Sequence, residues 1–301
     1  MRLLGRRVIH VMRNHLNCSR VRKLLSVFII LLMMVNLVSC STSNTPDFIV
    51  LNDYVKFDTT RNRRMVLNVL SNASNPDVSI ASIDGDGTEN AEYKWSFDNE
   101  PFAKSDGYSA YMLLLDFDVD EGCTVSIKSI ELTLNGTKKT VTFANPVIFR
   151  SRVGSLDEKA AEVLEINPVA FAMHSDKVGE VYPIKFVAQK DLTIVDVSPN
   201  SYLTAVPLRY DLNGNEHDNA DGLFPLKLSQ GDECTVYLTF KFKEGISVYD
   251  NVSCDLEVKY SVDEPSVTHT KVVSVECTND VNSDYIKMVL EKTNGSNIKT
   301  K

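Results

Sequence analysis

From residue 48 to residue 277 the chain is written in short runs in which apolar and polar side chains alternate with a period of two. Cys234, Val236, Leu238, Phe240 and Phe242 are separated by Thr235, Tyr237, Thr239 and Lys241, and Val252, Cys254, Leu256, Val258 and Tyr260 by Ser253, Asp255, Glu257 and Lys259. Tyr111, Leu113, Leu115, Phe117 and Val119 repeat the pattern. Successive side chains of a strand point to opposite faces, so each run predicts a strand with one face in a core and the other in water. Gly, Asn, Asp and Pro punctuate the runs, and strand after strand with such turns predicts an all-β fold. Two stretches depart from the period. Ser155 and Glu158 have capping-box spacing, which predicts a linker with one or two helical turns over residues 152–165. Tyr285, Met288 and Val289 form an apolar stripe that predicts a short C-terminal helix ending at Asn294-Gly295, followed by a frayed tail.

Four landmarks recur in one order and predict an internal duplication. Leu51-Asn52 with Val55-Lys56-Phe57 matches Ile166-Asn167 with Val169-Ala170-Phe171, and Val78 to Ile83 matches Leu192 to Val197. Asp106-Gly107 corresponds to Asp221-Gly222. The closest pair is Asp120 to Val125 against Gly231 to Val236, a turn followed by a core-facing strand. About seven candidate strands in roughly 110 residues per copy resemble the immunoglobulin-like sandwich rather than a closed barrel. The resemblance is architectural, since the first copy holds a single cysteine and lacks the inter-sheet disulfide of antibody domains.

The N-terminus is different in kind. The first 39 residues carry seven basic residues and no acidic one, and the apolar run Leu24 to Val38 follows the last of them. A basic start and an apolar stretch of this length predict an export signal. A retained membrane helix is the alternative, but the run is shorter than the roughly 20 residues that span a bilayer and Asn36 interrupts it. Met12 begins a second plausible leader, and either start gives the same mature protein. At the leader's end, Leu37-Val38-Ser39-Cys40 resembles the lipobox of bacterial lipoproteins. The resemblance implies cleavage before Cys40, a diacylglyceryl group on its sulfur, further acylation such as palmitate, and a protein anchored by lipid outside the cytoplasmic membrane. Each buried methylene contributes about 0.8 kcal/mol, so two or three chains hold a protein without a spanning helix. Ser41 is non-acidic, which in Gram-negative members implies the outer membrane.

The expected organisation is therefore a signal peptide over 1–39, a lipid-anchored tether over 40–47, a β-sandwich over 48–151, the linker over 152–165, a second β-sandwich over 166–280, and a helix with a flexible tail over 281–301. Removing the leader leaves 25 basic and 40 acidic residues, a formal charge of −15. That charge repels nucleic acid and anionic membrane surfaces alike.

Candidate chemistry is sparse. Cys123, Cys234, Cys254 and Cys277 all point inward by strand parity and read as small buried apolar groups. One disulfide among Cys234, Cys254 and Cys277 is the alternative in an oxidising compartment. No pair has zinc-ligand spacing. Asp84 and Asp86 in one loop, and Asp211 and Asn213 in another, alternate oxygen ligands as calcium loops do, without the glycine and glutamate of an EF-hand. Asp116, Asp118 and Asp120 share one strand face, where repulsion favours a cation. Solvated turns or edges that block pairing between molecules are the plainer reading of all three groups, and no resident metal or other cofactor is expected. Parity places Trp95 in a core, leaving Phe102, Tyr108 and Tyr202 as candidates for an exposed ligand-binding surface. His174, His217 and His269 are scattered, and no nucleophile elbow, metalloprotease helix, P-loop or dinucleotide glycine run is present.

These features favour a non-enzymatic, lipid-anchored extracytoplasmic module that binds or supports an envelope partner. A carbohydrate-active accessory protein, either a glycan-binding module or a weak glycoside hydrolase, is the alternative. It requires exposed aromatic rings and two carboxylates about 5 to 10 Å apart in one cleft.

Overall fold

The computed structural model describes residues 46–60, 63–152, 162–262 and 267–298. The leader, the lipobox Leu37, Val38, Ser39 with Cys40, and the capping box at Ser155 and Glu158 lie outside the described residues. In chain order the first half supplies β1 (Phe48–Val50), β2 (Val55–Thr59), β3 (Arg64–Ser71), β4 (Val78–Asp86), β5 (Ala91–Phe97), β6 (Ala103–Ser105), β7 (Tyr108–Val119), β8 (Thr124–Leu134) and β9 (Thr137–Arg150). The second half supplies β10 (Leu164–Asn167), β11 (Ala170–His174), β12 (Val181–Ala188), β13 (Leu192–Pro199) and β14 (Leu203–Leu212). It continues with β15 (Asn215–His217), β16 (Leu226–Leu228), β17 (Glu233–Phe242), β18 (Asn251–Ser261) and β19 (His269–Thr278). Helix α1 (Ser283–Ile298) follows. Among the described residues the protein is mostly β, in three sheets with one C-terminal helix.

Both halves have one topology. The order β1-β3-β7-β5 faces β2-β9-β8-β4, and the order β10-β12-β17-β14 faces β11-β19-β18-β13. This is an immunoglobulin-like arrangement in which the opening strand is divided between the two layers. In the second half the division falls at Pro168, which has no N–H to give to a ladder. The duplication is thus present in the strand order, and the landmarks at β2/β11 and β4/β13 sit on equivalent strands. The landmark that matched best does not: it equates β8 with β17, whereas β17 occupies the place of β7. A turn followed by an alternating strand recurs at every hairpin, so its likeness carries little positional information.

Alternation builds one core per half. Met65, Leu67 and Val69 of β3 meet Leu113, Leu115, Val125, Ile127 and Phe149 in the first; Ile184, Phe186, Val236, Leu238, Cys254 and Val275 lie in the second. The sheets, however, do not respect the halves. Val55 to Asp58 of β2 pair in parallel with Asn251 to Cys254 of β18, and β2 also pairs in parallel with β9. A nine-stranded sheet therefore runs through both halves. Phe57 registers with Ser253 and Asp58 with Cys254. Phe57 belongs to the first core and Cys254 to the second, so the two cores sit on opposite faces of the shared sheet where they meet.

The edge of β18 has to serve two neighbours. Asn251 to Cys254 pair with β2, while Leu256 to Ser261 pair with β13. Asp255 stands at the fork, 1 % exposed. Its carboxylate accepts from the Thr60 N–H at 2.9 and 3.1 Å and from the Thr59 hydroxyl at 3.2 Å. Its own backbone exchanges two hydrogen bonds with Asn200, which lies just past β13. Asn200 also donates to the Asp58 carbonyl at 3.2 Å. The amides that would otherwise be orphaned where β2 leaves the ladder are thereby satisfied.

Helix α1 ties the second half to the first again. Asn282 caps it, accepting from the N–H groups of Asp284 and Tyr285. Tyr285, Ile286, Val289 and Leu290 then pack against Leu51, Leu70, Tyr108 and Ala110 on the outer face of the β3/β7 layer. Tyr285 meets Tyr54 of the first half and Tyr249 of the second, each at 5.6 Å between ring centroids. The helix passes through Asn294-Gly295 to Ile298 rather than stopping there. A glycine costs only about 1 kcal/mol inside a helix, which is a weak stop signal on its own.

Removing the Asp255 carboxylate leaves buried donors unsatisfied, so Asp255→Ala is expected to lower unfolding free energy by about 2–4 kcal/mol in urea titrations. Burial pushes the Asp255 carboxyl above the usual carboxylate range, and the Thr60 and Thr59 donors pull it back part of the way. A carboxyl raised on folding contributes most below its unfolded pKa, and that contribution is lost as pH rises through the folded one. The stability of the native protein relative to Asp255→Asn should therefore be greater at about pH 4 than at about pH 7.

Candidate functional site

Two of the recesses among the described residues lie beside the first half's sheets. The first, about 360 Å³, lies in the corner between the outer face of β3 and β7 and the end of β19. Met65, Leu67 and Val69 face the core, so Val66 and Asn68 point the other way, where α1 covers only part of the sheet. Asn68 registers with Met112 of β7, and both line the recess. The opposite wall comes from the shared sheet, where Phe57, Ser253 and Glu276 register across β2, β18 and β19. Val281 and Phe102 complete an apolar lining, with Phe102 42 % exposed at the mouth.

The polar groups of this recess are unevenly satisfied. Arg64 is held by Asp116 through a fork, Nε to Oδ1 at 2.7 Å and Nη2 to Oδ2 at 3.1 Å. Glu276 and the exposed Asp280 join none of the ion pairs among the described residues. Burial pushes the Glu276 carboxyl upward. Asn68 is 6 % exposed, yet its carboxamide makes no hydrogen bond to any described residue.

The second recess opens between the edge strands β4 and β5 and is lined by Ile83, Thr88, Glu89, Tyr93 and Phe117. Tyr93 and Trp95 register with Phe117 and Leu115, so they do point to the core side, as parity predicts. But β5 is the last strand of its layer and overhangs the opposite one. Trp95 is consequently 41 % exposed, and Tyr93 equally so, which corrects the expectation of a core tryptophan.

The residues singled out from sequence do not converge. Asp84 and Asp86 lie on β4, where Asp86 pairs with Lys128 at 2.6 Å; Asp211 and Asn213 lie in the β14–β15 hairpin of another sheet. Asp211 accepts from the Gly214 N–H at 2.7 Å, and Asn213 bonds Asp232 and the Glu233 N–H, so these side chains shape the turn. Asp116 and Asp118 share a strand face, but Arg64 and Arg63 answer their repulsion. Asp120 lies in the turn after β7. No cluster of three metal-ligating side chains occurs among the described residues. Of the aromatic candidates, Phe102 is exposed, Tyr202 is half-buried against the second core, and Tyr108 is buried beneath α1. Tyr108 is therefore unavailable to a ligand, because the chain returns over a sheet face that sequence leaves open. His217 stacks on Tyr210 and His269 on Tyr260, while His174 ends β11.

Asn68 and Glu276 carry a sequence signal of another kind. Met65 to Leu70 is apolar at every position but 68, the pattern of a strand covered on both faces. A lone polar residue in such a run marks something to satisfy. Glu276 interrupts an equally apolar stretch from Val272 to Cys277, shared only with Ser274.

No family model matches this chain, and no curated protein matches it. Among solved structures, a protein of unknown function from Porphyromonas gingivalis W83 is 15 % identical with a TM-score of 0.21, covering 77 % of this chain and 100 % of its own. A CFA/I adhesin of enterotoxigenic E. coli is 10 % identical with a TM-score of 0.25, covering 80 % and 85 %. Fibronectin(III)-like modules of Clostridium thermocellum are 9 % identical with a TM-score of 0.21, covering 77 % and 94 %. Scores of this size define no common site.

The thiols give a direct test of the packing. Cys234, Cys254 and Cys277 are fully buried and unbridged, and Cys123 is half-buried. Burial pushes Cys234 and Cys277 up to about 12 and Cys254 well above its ordinary value. Alkylation of the native protein at about pH 8 should label none of these three, and all of them once denatured, as read by mass spectrometry.

Proposed function

We propose that this chain is a lipid-anchored, non-enzymatic binding module of the bacterial cell envelope, exported by its leader and tethered through Cys40. The anchor is supported by the basic-then-apolar leader ending in Leu37-Val38-Ser39-Cys40. The observation that carries the binding role is the Asn68 carboxamide, bonded by no described residue and lining a recess at the joint of two sandwiches. Two immunoglobulin-like units sharing one sheet present that recess on a rigid support, which limits the ordering cost of binding. The partner is an envelope component or a small molecule reaching the extracytoplasmic face.

A glycan-binding accessory role is the second reading. It is favoured by Tyr93 and Trp95, which project side by side from the edge strand β5 beside the second recess. Exposed rings on one strand face are suited to stacking on sugar rings.

Membrane-extracted protein is expected to begin at Cys40 and to carry fatty acyl mass. Cys40→Ser should remove that mass and move the protein out of the membrane fraction. An intact leader without acylation contradicts the anchor, and hydrolytic turnover on a glycan or peptide panel contradicts the non-enzymatic role. If the second reading holds, glycan-array signals should fall at least about tenfold in Trp95→Ala.

A further inference from the structure

We infer that the recess at the joint is a binding site for a small primary amine carried on an apolar body. The inference rests on the reading of the protein as a binding module and adds the chemistry of the ligand. Its volume, about 360 Å³, falls within the roughly 300–1,000 Å³ of small-molecule sites. Phe57, Val66, Met112 and Phe102 supply the apolar surface that buries the body of the ligand.

Charge decides the head group. The one cation in the lining, Arg64, is neutralised by its two-bond fork to Asp116. Glu276, half-buried on the shared sheet, and Asp280 at the rim have no cationic partner among the described residues. The unspent charge of the recess is therefore negative. A partly buried carboxylate without a counter-ion is costly, and a ligand ammonium group lowers that cost by a charge-assisted hydrogen bond. Asn68 meets the same need from the other wall, since its amide oxygen accepts and is bonded by no described residue. An anionic ligand would set its charge against Glu276 and would have to break the Arg64–Asp116 fork. A purely apolar ligand would leave both polar groups desolvated and unpaired.

The test uses the full chain purified from membranes, titrated with 2-phenylethylamine, 3-phenylpropionate and 2-phenylethanol by calorimetry and ligand-observed NMR. The amine should bind at least about tenfold more tightly than the alcohol or the acid, and Glu276→Gln should remove that preference while the unfolding midpoint does not fall. Met112→Trp should block all three by filling the recess; Val66→Phe serves the same purpose if the first variant is poorly folded. Tighter binding of the acid, or amine binding unchanged in Glu276→Gln, would overturn the assignment. So would an absence of amine binding by folded, acylated protein, a result that leaves the lipid-anchored module standing and removes only its ligand.

Discussion

The structure depends on how the edge of one strand is divided. Four residues of β18, Asn251 to Cys254, pair with β2 from the first half, and six, Leu256 to Ser261, pair with β13 from the second. An open edge in either sandwich would present unpaired N–H and C=O groups to other molecules. Here part of each sandwich's edge closes the other's, and Asp255 with Asn200 satisfies the backbone where the two pairings separate. Because β2 joins the sheet of the second half while its Phe57 remains in the first core, neither core can shift without breaking the ladder.

The placement of the recess follows from the same constraint. Joining the halves through β2 sets the domain-one face of β18 and β19 beside the outer face of β3 and β7, and α1 then crosses from the end of β19 to cover part of that outer face. What α1 leaves uncovered is lined by Asn68 and Met112 on one side and by Phe57, Ser253 and Glu276 on the other. The site is thus a product of the joint, and neither half holds it alone.

The period-two pattern made the strands and the all-β class legible, because parity acts over a few residues, while the apolar stripe at Tyr285, Met288 and Val289 marked the C-terminal helix and the recurring landmarks the duplication. The same parity gave the right face for Trp95 and the wrong burial, since strand alternation says nothing of whether the opposite layer extends that far. Tyr108 failed for the complementary reason: its cover comes from α1, some 175 residues later in the chain. The parallel pairing of β2 with β18 was not legible either. Parallel neighbours lack a connecting turn, and with it the local sequence signature that a hairpin leaves. The apolar run from Met65 to Leu70 held the clue that both faces of β3 are covered, and Asn68 was the exception within it.

The central claim is that the two sandwiches form one structural unit through the shared sheet, and differential scanning calorimetry of the full chain tests it most directly. One transition is expected, with calorimetric and van't Hoff enthalpies equal, because unfolding either half strips β2 or β18 of its partner. Two separate transitions, one for each core, would show that the joint does not couple them and would contradict the account.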